Sequence, residues 1–264
     1  MSRPVPIVAL DVDPHNGVIR RLLCPDREVP LSGGGCEFGQ WYGFFSQDKL
    51  GGLNVDVTRV ELEHDASHAA GVLEASLPYG RYRLTFTDRL AAGELDRAYT
   101  IESLEHGRLS DLVIRCCADP RTFPSASIDG RSYTHRRKNR FLQFPVRQAA
   151  LQSDDLQIEF ELTEVVAPPV LGVYTYVRDA MKEGWVVHHR LLTRNGASEE
   201  YVLRVRRATF SSQHAFWVHG LRHVLWRAAE RHPWIRPTLQ VGGNVFLARG
   251  ARWSMRARLR LVEP

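Results

Sequence analysis

The chain has 264 residues, of which 44% are hydrophobic and 25% are charged, and its formal net charge is +5. This composition is ordinary for a globular protein and excludes an intrinsically disordered chain. No apolar run approaches the roughly 18 residues of a membrane-spanning helix. The short apolar run at residues 5–10 has Pro4 and Pro6 at its start and ends at Asp11, unlike a secretory signal. We therefore expect one domain over residues 1–264 that is soluble, cytoplasmic and not membrane-bound.

Charge is distributed unevenly along the chain. Residues 1–120 contain 12 Lys and Arg against 18 Asp and Glu, whereas residues 121–264 contain 23 against 12. The basic second half could bind an anionic partner, or the two halves could neutralise each other in the folded protein. All but three of the 35 basic residues are arginine, a preference typical of a GC-rich bacterial genome, so part of the arginine content carries no functional information.

Alternation of apolar and polar residues predicts at least ten strands. It is clearest at residues 56–63, 81–87, 157–163, 185–192, 201–207 and 254–262. A period of two is typical of strands with one buried face. Turn signals such as Asp129-Gly130, between 125–128 and 131–135, indicate hairpins and hence antiparallel pairing. The predicted fold class is mainly β, a large antiparallel β-sandwich or β-barrel.

Three segments receive other predictions. Residues 32–52 are rich in glycine and aromatic residues and are interpreted as a long ordered loop; the SGGG at 32–35 lacks the endings of phosphate-binding motifs. Residues 99–104 and 109–115 are predicted to form a hairpin through 105–108. One C-terminal amphipathic helix is predicted at about 213–231, since a serine can cap its start and Pro233 follows its end.

Metal and cofactor motifs are weak. The pairs His64/His68 and His219/His223 have the spacing of two ligands on one helical face, but no third ligand follows at a telling distance. The four cysteines form no CxxC pair and are interpreted as reduced thiols. We expect neither a metal nor a cofactor.

The segment 131–147 is strongly basic and contains no acidic residue. Guanidinium groups bind carboxylates and phosphates bidentately, so Arg136, Arg137 and Arg140 are candidates for substrate binding, with His135 as a candidate acid or base. The alternative is a solvated hairpin tip. A nucleic acid is a possible partner but is disfavoured, because few aromatic residues are interleaved and the acidic half of the chain would repel a polyanion.

Candidate acid–base residues lie on two predicted strands. His188 and His189 are adjacent, so they face opposite sides of a strand, while Glu159 and Glu161 share one face. Pairing of these glutamates with the alternating arginines Arg256, Arg258 and Arg260 is the alternative. The predicted strands 170–177 and 185–192 can form a hairpin, which would let Tyr174, Tyr176 and Trp185 line a pocket with one of the histidines.

Two classes of function remain. In the first, the domain binds a small, sugar-like or other organic molecule and is a cofactor-independent isomerase, cyclase or lyase. In the second, it is a binding protein without catalytic activity that holds an anionic partner or nucleic acid through residues 131–147. We favour the first, since β-sandwiches and barrels of this size commonly enclose ligands.

Overall fold

The computed structural model describes residues 3–40, 43–136, 140–142, 146, 148–180, 184–193 and 245–264. The predicted helix at about 213–231, the histidines His219 and His223 on it, and the predicted strand 201–207 lie outside these ranges, as do Arg137 and Lys138. Among the described residues, helical structure is limited to one 3-10 turn, Gln47–Lys49.

The described residues form strands along almost their whole length. The strands are β1 (Arg3–Val5), β2 (Ala9–Val12), β3 (Ile19–Leu23), β4 (Glu28–Gly39), β5 (Phe44–Ser46), β6 (Gly51–Leu53), β7 (Asp56–His64), β8 (His68–Leu77), β9 (Gly80–Ala91), β10 (Glu94–Ser103), β11 (Gly107–Leu109), β12 (Asp111–Ala118), β13 (Ser125–Ile128), β14 (Arg131–Thr134), β15 (Arg140–Leu142), β16 (Ala149–Gln152), β17 (Gln157–Val166), β18 (Leu171–Ala180), β19 (Gly184–Thr193), β20 (Val245–Leu247) and β21 (Arg252–Glu263).

Two large sheets contain most of these strands. The first sheet has the order β14-β13-β16-β17-β21-β10-β9-β8-β7, with β1 also paired to β21. The second sheet has the order β15-β18-β19-β12-β4-β3-β2, and β5 and β6 extend it from β4. The strands β11 and β20 form a separate pair. Each pairing is antiparallel, as the hairpin signals predicted.

The two sheets pack face to face as a β-sandwich. Their inner faces share one apolar core, to which the first sheet contributes Phe86 and Trp253 and the second sheet Phe38 and Ile114. Alternation of burial along β10 shows how the sequence pattern produces this layer, since every second side chain is buried. The prediction of a mainly β antiparallel fold is confirmed, and the architecture is a sandwich.

The hairpin predicted at Asp129-Gly130 is confirmed. It joins β13 to β14, and both residues have positive φ angles, 47° and 76°. Positive φ at both central positions is what a tight type I′ turn requires, and glycine and aspartate adopt it more readily than most residues.

Two local predictions are wrong. Residues 32–52 are not a loop: β4 runs through the glycines, and β5, the 3-10 turn and β6 follow it. The glycines are needed because the turn lies on the strand; a Cβ atom at Gly35, whose φ is +78°, would lie 2.8 Å from Gln47 Oε1. Residues 99–104 and 109–115 do not form a hairpin, since β10 belongs to the first sheet and β12 to the second.

Candidate functional site

The hairpin of β18 and β19 separates the two adjacent histidines. In its register Tyr176 lies opposite His188, and Thr175 opposite His189. The His189 ring contacts Phe160 of the first sheet, with ring centroids 4.6 Å apart, so His189 faces the core between the sheets. His188, one residue earlier, therefore faces the outer side of the second sheet.

This alternation also separates the three aromatic residues that were predicted to line one pocket. Tyr174 and Tyr176 share the outer face with His188, and the Tyr176 and His188 rings stack with centroids 4.4 Å apart. Trp185 lies on the inner face with His189, and its indole Nε1 donates to the Phe123 carbonyl at 2.7 Å. The structure thus places both tyrosines on the face of His188, with Tyr176 in contact with its ring, and places the tryptophan on the opposite side of the sheet.

Charged residues continue the same outer face across the neighbouring strands. Arg115 of β12 lies opposite His188, and Glu37 of β4 lies opposite Val113, two residues away. Asp111 on β12 and Arg190 on β19 belong to this face by the same alternation. We call the following set the outer-face cluster: Glu37, Asp48, Asp111, Arg115, Tyr176, His188 and Arg190.

Arg115 lies at the centre of the outer-face cluster and is only 5% exposed. Its guanidinium forms ion pairs with Glu37, at 2.9 Å between Nη1 and Oε1, and with Asp48. Asp48 also accepts a hydrogen bond from the Gly34 backbone N–H at 3.2 Å. Bidentate and charge-assisted contacts of this kind fix the plane of a guanidinium group.

A buried network holds Asp48 over the glycine-containing strand. The amide of Asn16 donates from Nδ2 to the Asp48 carbonyl at 2.9 Å, and Gln47 donates from Nε2 to the Asn16 carbonyl at 3.0 Å. The backbone N–H of Cys36 donates to Gln47 Oε1 at 3.1 Å. Because Gln47 is fully buried, the turn and the carboxylate it carries are held rigidly against β4.

A second ion pair lies on the same face. Arg190 donates from Nε to Asp111 Oδ2 at 2.8 Å. Arg190 also opposes the effect of burial on Tyr176, although burial is stronger and raises the pKa of that tyrosine. Burial likewise raises the pKa of Glu37, and Arg115 opposes it.

His188 is buried among these charges and is held neutral. Burial, first, and then the positive charges of Arg115, Arg178 and Arg190 lower its pKa well below 6.5. Its Nδ1 atom is buried and makes no hydrogen bond of normal distance and angle to the residues that the structure describes, while a backbone contact at Val186 partly opposes the lowering of the pKa. A neutral imidazole with an available ring nitrogen, beside guanidinium groups and a carboxyl group of raised pKa, is suited to transfer a proton.

The other predicted histidine, His135, lies at a separate place. Its Nδ1 atom is 2.5 Å from Oδ1 of the buried Asp179, and its ring meets Trp185 edge to face at 5.7 Å. Arg136 is exposed, and its backbone N–H donates to Asp179 Oδ2 at 3.1 Å. Arg140 belongs to β15, whose register places it opposite Asp179.

The glutamates Glu159 and Glu161 lie on the outer face of the first sheet, away from His188. Glu159 pairs with Arg260 and accepts from Gln157 Nε2 at 2.8 Å, while Glu161 is exposed opposite Arg258. Cross-strand ion pairs of this kind were the alternative interpretation, and they contribute little to stability on an exposed surface.

Sequence reasoning missed Arg115, Asp111, Glu37 and Asp48. One signal could have identified the first two: residues 111–118 are a mostly apolar run, typical of a strand buried on both faces, yet they include an aspartate and an arginine, and the structure buries all eight. Charged residues are almost never fully buried unless they are paired, so such a strand indicates a polar site. For Glu37 and Asp48 the local sequence has no comparable signal.

The inner-face histidine leads to a prediction about pH. Burial lowers the pKa of His189 to about 4, whereas an unfolded histidine titrates near 6.5. The unfolded chain therefore binds a proton first as the pH falls, and the free energy of unfolding should decrease from about pH 6.5 downward, by about 3 kcal/mol at pH 4 from this residue alone. Urea unfolding at several pH values checks this.

His189→Gln is the matched variant for that measurement. Because it removes the titrating ring, its free energy of unfolding should depend less steeply on pH than that of the wild type between about pH 6.5 and 4. Identical slopes for the two proteins would contradict the assignment of this titration to His189.

A prediction for the basic segment separates the two function classes. Replacing Arg136, Arg137, Lys138 and Arg140 together with alanine should leave retention on heparin or single-stranded DNA weak and nearly unchanged at physiological salt. If the basic segment binds a polyanion, the wild type should instead be retained tightly, its retention should fall steeply with salt, and the variant should lose it. Salt-gradient elution of both proteins decides between these outcomes, and tight binding lost in the variant would support the nucleic-acid alternative.

The described residues contain no group of three or more His, Cys, Asp and Glu side chains arranged to hold a metal ion. The four cysteines all lie within the described residues, are buried and form no disulfide bond. No helix among the described residues is long and apolar enough to span a membrane.

Comparison with known proteins gives matches only among solved structures. No family model and no curated protein matches the chain. A putative aldose 1-epimerase from Escherichia coli K12 is 10% identical, with a TM-score of 0.49 over 99% of this chain and 98% of that one. A galactose mutarotase-like protein from Lactobacillus casei is 9% identical, with a TM-score of 0.47 over 99% and 100%.

A protein from Synechocystis sp. PCC 6803 is likewise 9% identical, with a TM-score of 0.49 over 100% of this chain and 96% of that one. At this identity, and with TM-scores below 0.5, these similarities assign no function to the chain.

Proposed function

We propose that the chain is a cofactor-independent enzyme that binds a small, polar, sugar-like molecule at the outer-face cluster and isomerises it by acid–base chemistry. The observation that carries this proposal is His188: a buried, neutral imidazole whose Nδ1 has no normal hydrogen bond to the described residues, stacked on Tyr176 and lying beside Arg115. His189 Nε2 is likewise without a normal hydrogen bond to the described residues, so what distinguishes His188 is its place among the charged groups of the outer face.

The cluster contains the groups that such a reaction needs. The lowered pKa of His188 keeps its nitrogen available as a proton acceptor, and the raised pKa of Glu37 favours a carboxyl group that can return a proton. Two titratable groups whose pKa values are shifted apart by their environments are the usual arrangement of a general base and a general acid. In this proposal the substrate loses a proton to His188 and regains one at another atom from Glu37, so its composition is unchanged. A proton then returns from His188 to Glu37 through solvent, which restores both groups for the next turnover.

Binding is assigned to the remaining groups of the same face. The guanidinium groups of Arg115 and Arg190 can donate to hydroxyl or carbonyl oxygens, and their ion pairs with Asp48 and Asp111 hold them in place. The rings of Tyr174 and Tyr176 lie on the same face and offer an apolar surface to the ring of a sugar.

The proposal is tested by incubating the protein in D2O with a panel of reducing sugars and small hydroxycarbonyl compounds. Proton NMR then detects faster exchange between isomers and the uptake of solvent deuterium at carbon. We expect at least one compound of the panel to be converted faster than in buffer alone. If no compound is converted, and saturation-transfer spectra show no binding, the proposed function is wrong; binding without conversion would support a binding protein in its place.

A further inference from the structure

A buried arginine, Arg97, lies in the core between the sheets, beneath the outer-face cluster. Arg97 belongs to β10 of the first sheet and is only 1% exposed, and Asp88 opposite it on β9 is fully buried. Arg97 donates from Nε and Nη2 to the two oxygens of Asp88 at 3.0 and 3.1 Å. It also donates to the Tyr99 hydroxyl at 2.7 Å.

The remaining nitrogen of this guanidinium crosses to the second sheet. Nη1 of Arg97 donates to the backbone carbonyl of Arg115 at 2.9 Å. Gly34 leaves room for this approach, since a Cβ atom there would make a tight contact of 3.3 Å with that carbonyl oxygen. The hydrogen bond therefore ends on the residue whose side chain stands beside His188 on the opposite face of the sheet.

We propose that Arg97, held by both carboxylate oxygens of Asp88, is a positioning residue that fixes the Arg115 peptide and thereby holds the Arg115 guanidinium beside His188. This inference builds on the proposed function, because it assigns Arg97 to the same site. A fully buried ion pair is weak evidence of a contribution to stability, since apolar residues of similar volume are often as stable. Arg97 instead makes a directed contact with one particular backbone group of the site.

The test measures how strongly Arg115 acts on His188. The wild type and Arg115→Gln are labelled with 15N-histidine, and His188 is assigned from the spectrum of His188→Gln. The ring nitrogens are then followed from about pH 8 down to the lowest pH at which the protein stays folded, because the pKa of His188 lies well below 6.5. Removing a neighbouring positive charge should raise the titration midpoint of His188 by about one pH unit in the wild-type background.

The effect of Arg115→Gln is then measured again in the triple variant Asp88→Leu, Arg97→Met, Tyr99→Phe, in which the buried polar groups are removed together. We expect the midpoint of His188 to rise in this background and the further effect of Arg115→Gln to become much smaller, because the guanidinium is no longer held in place. Tyr99→Phe alone is the matched control, because it keeps the bonds from Arg97 to Asp88 and Arg115. It should leave unchanged both the titration midpoint of His188 and the shift of that midpoint caused by Arg115→Gln.

An unchanged His188 midpoint in the triple variant, together with an undiminished effect of Arg115→Gln, would overturn the proposal. If the triple variant does not fold, Arg97→Lys replaces it, because one ammonium group cannot hold Asp88 and reach the Arg115 carbonyl with the same geometry; the same rise is expected. The titration needs no substrate, so its result is distinguishable from a failure of the proposed function.

Discussion

Replacing His188 with glutamine is expected to lower turnover of the active compound by about 100- to 10,000-fold, the range that general acid–base catalysis contributes. Glutamine can form hydrogen bonds but cannot accept a proton near neutral pH. The burial of His188 and the three arginines around it indicate that the imidazole works in its neutral form. The rate of isomer exchange or deuterium uptake, measured by NMR at equal concentrations of folded protein, gives the ratio.

His189→Gln is the matched control for this experiment. The two histidines are adjacent in sequence, but His189 faces the core, where its Nδ1 lies 2.9 Å from Thr175 Oγ1. Activity per folded molecule should therefore remain close to the wild-type value in His189→Gln. Equal losses in both variants would indicate damage to the sheet and would contradict a specific role for His188.

The largest effect on stability is expected for Asp88→Ala. This change leaves the guanidinium of Arg97 buried without its carboxylate, and breaking one side of a buried ion pair destabilises proteins by about 3–5 kcal/mol. Such a loss is a large fraction of the roughly 5–15 kcal/mol that folded domains possess. Urea unfolding of the wild type and the variant measures it.

The variant Asp88→Leu, Arg97→Met, Tyr99→Phe is the control for that prediction, because it removes the buried charge together with its partners. Its free energy of unfolding should lie much closer to that of the wild type than the value for Asp88→Ala. A loss below about 1 kcal/mol for Asp88→Ala would show that Arg97 is not stabilised by this carboxylate.

The parts of the fold that local patterns determine were predictable from the sequence. Alternation along residues 185–192 predicted β19, and the short connection to residues 170–177 predicted its hairpin with β18. The same alternation requires His188 and His189 to face opposite sides, and so it also predicts that Tyr176 can contact only one of them. Local period and turn length are sufficient for conclusions of this kind.

The centre of the site depends on pairings between distant segments. Asp48 is 67 residues from Arg115 in sequence, and the two meet because β4 pairs with β12 and a turn folds back over β4. No local pattern states which strands become neighbours. The glycines at 33–35 have the composition of a loop. The turn packed on Gly33 and Gly35, and Arg97 approaching Gly34 from the other sheet, explain why a strand contains them.

The same dependence on distant pairings explains why the sequence did not locate Glu159 and Glu161 correctly. Their shared face follows from the sequence, but the sheet to which β17 belongs does not, and the structure places it in the first sheet opposite the arginines of β21. A pair of carboxylates on one strand face therefore indicates a shared environment without indicating a shared site with His188.

One measurement tests the location of the site most directly. The protein labelled with 15N-histidine is titrated with the active compound of the panel, and the ring resonances of its histidines are followed. The proposed site predicts that the His188 resonances shift, while those of His189 in the core and of His135 at Asp179 remain in place. A shift confined to His135, or ligand binding that leaves His188 unchanged, would contradict it.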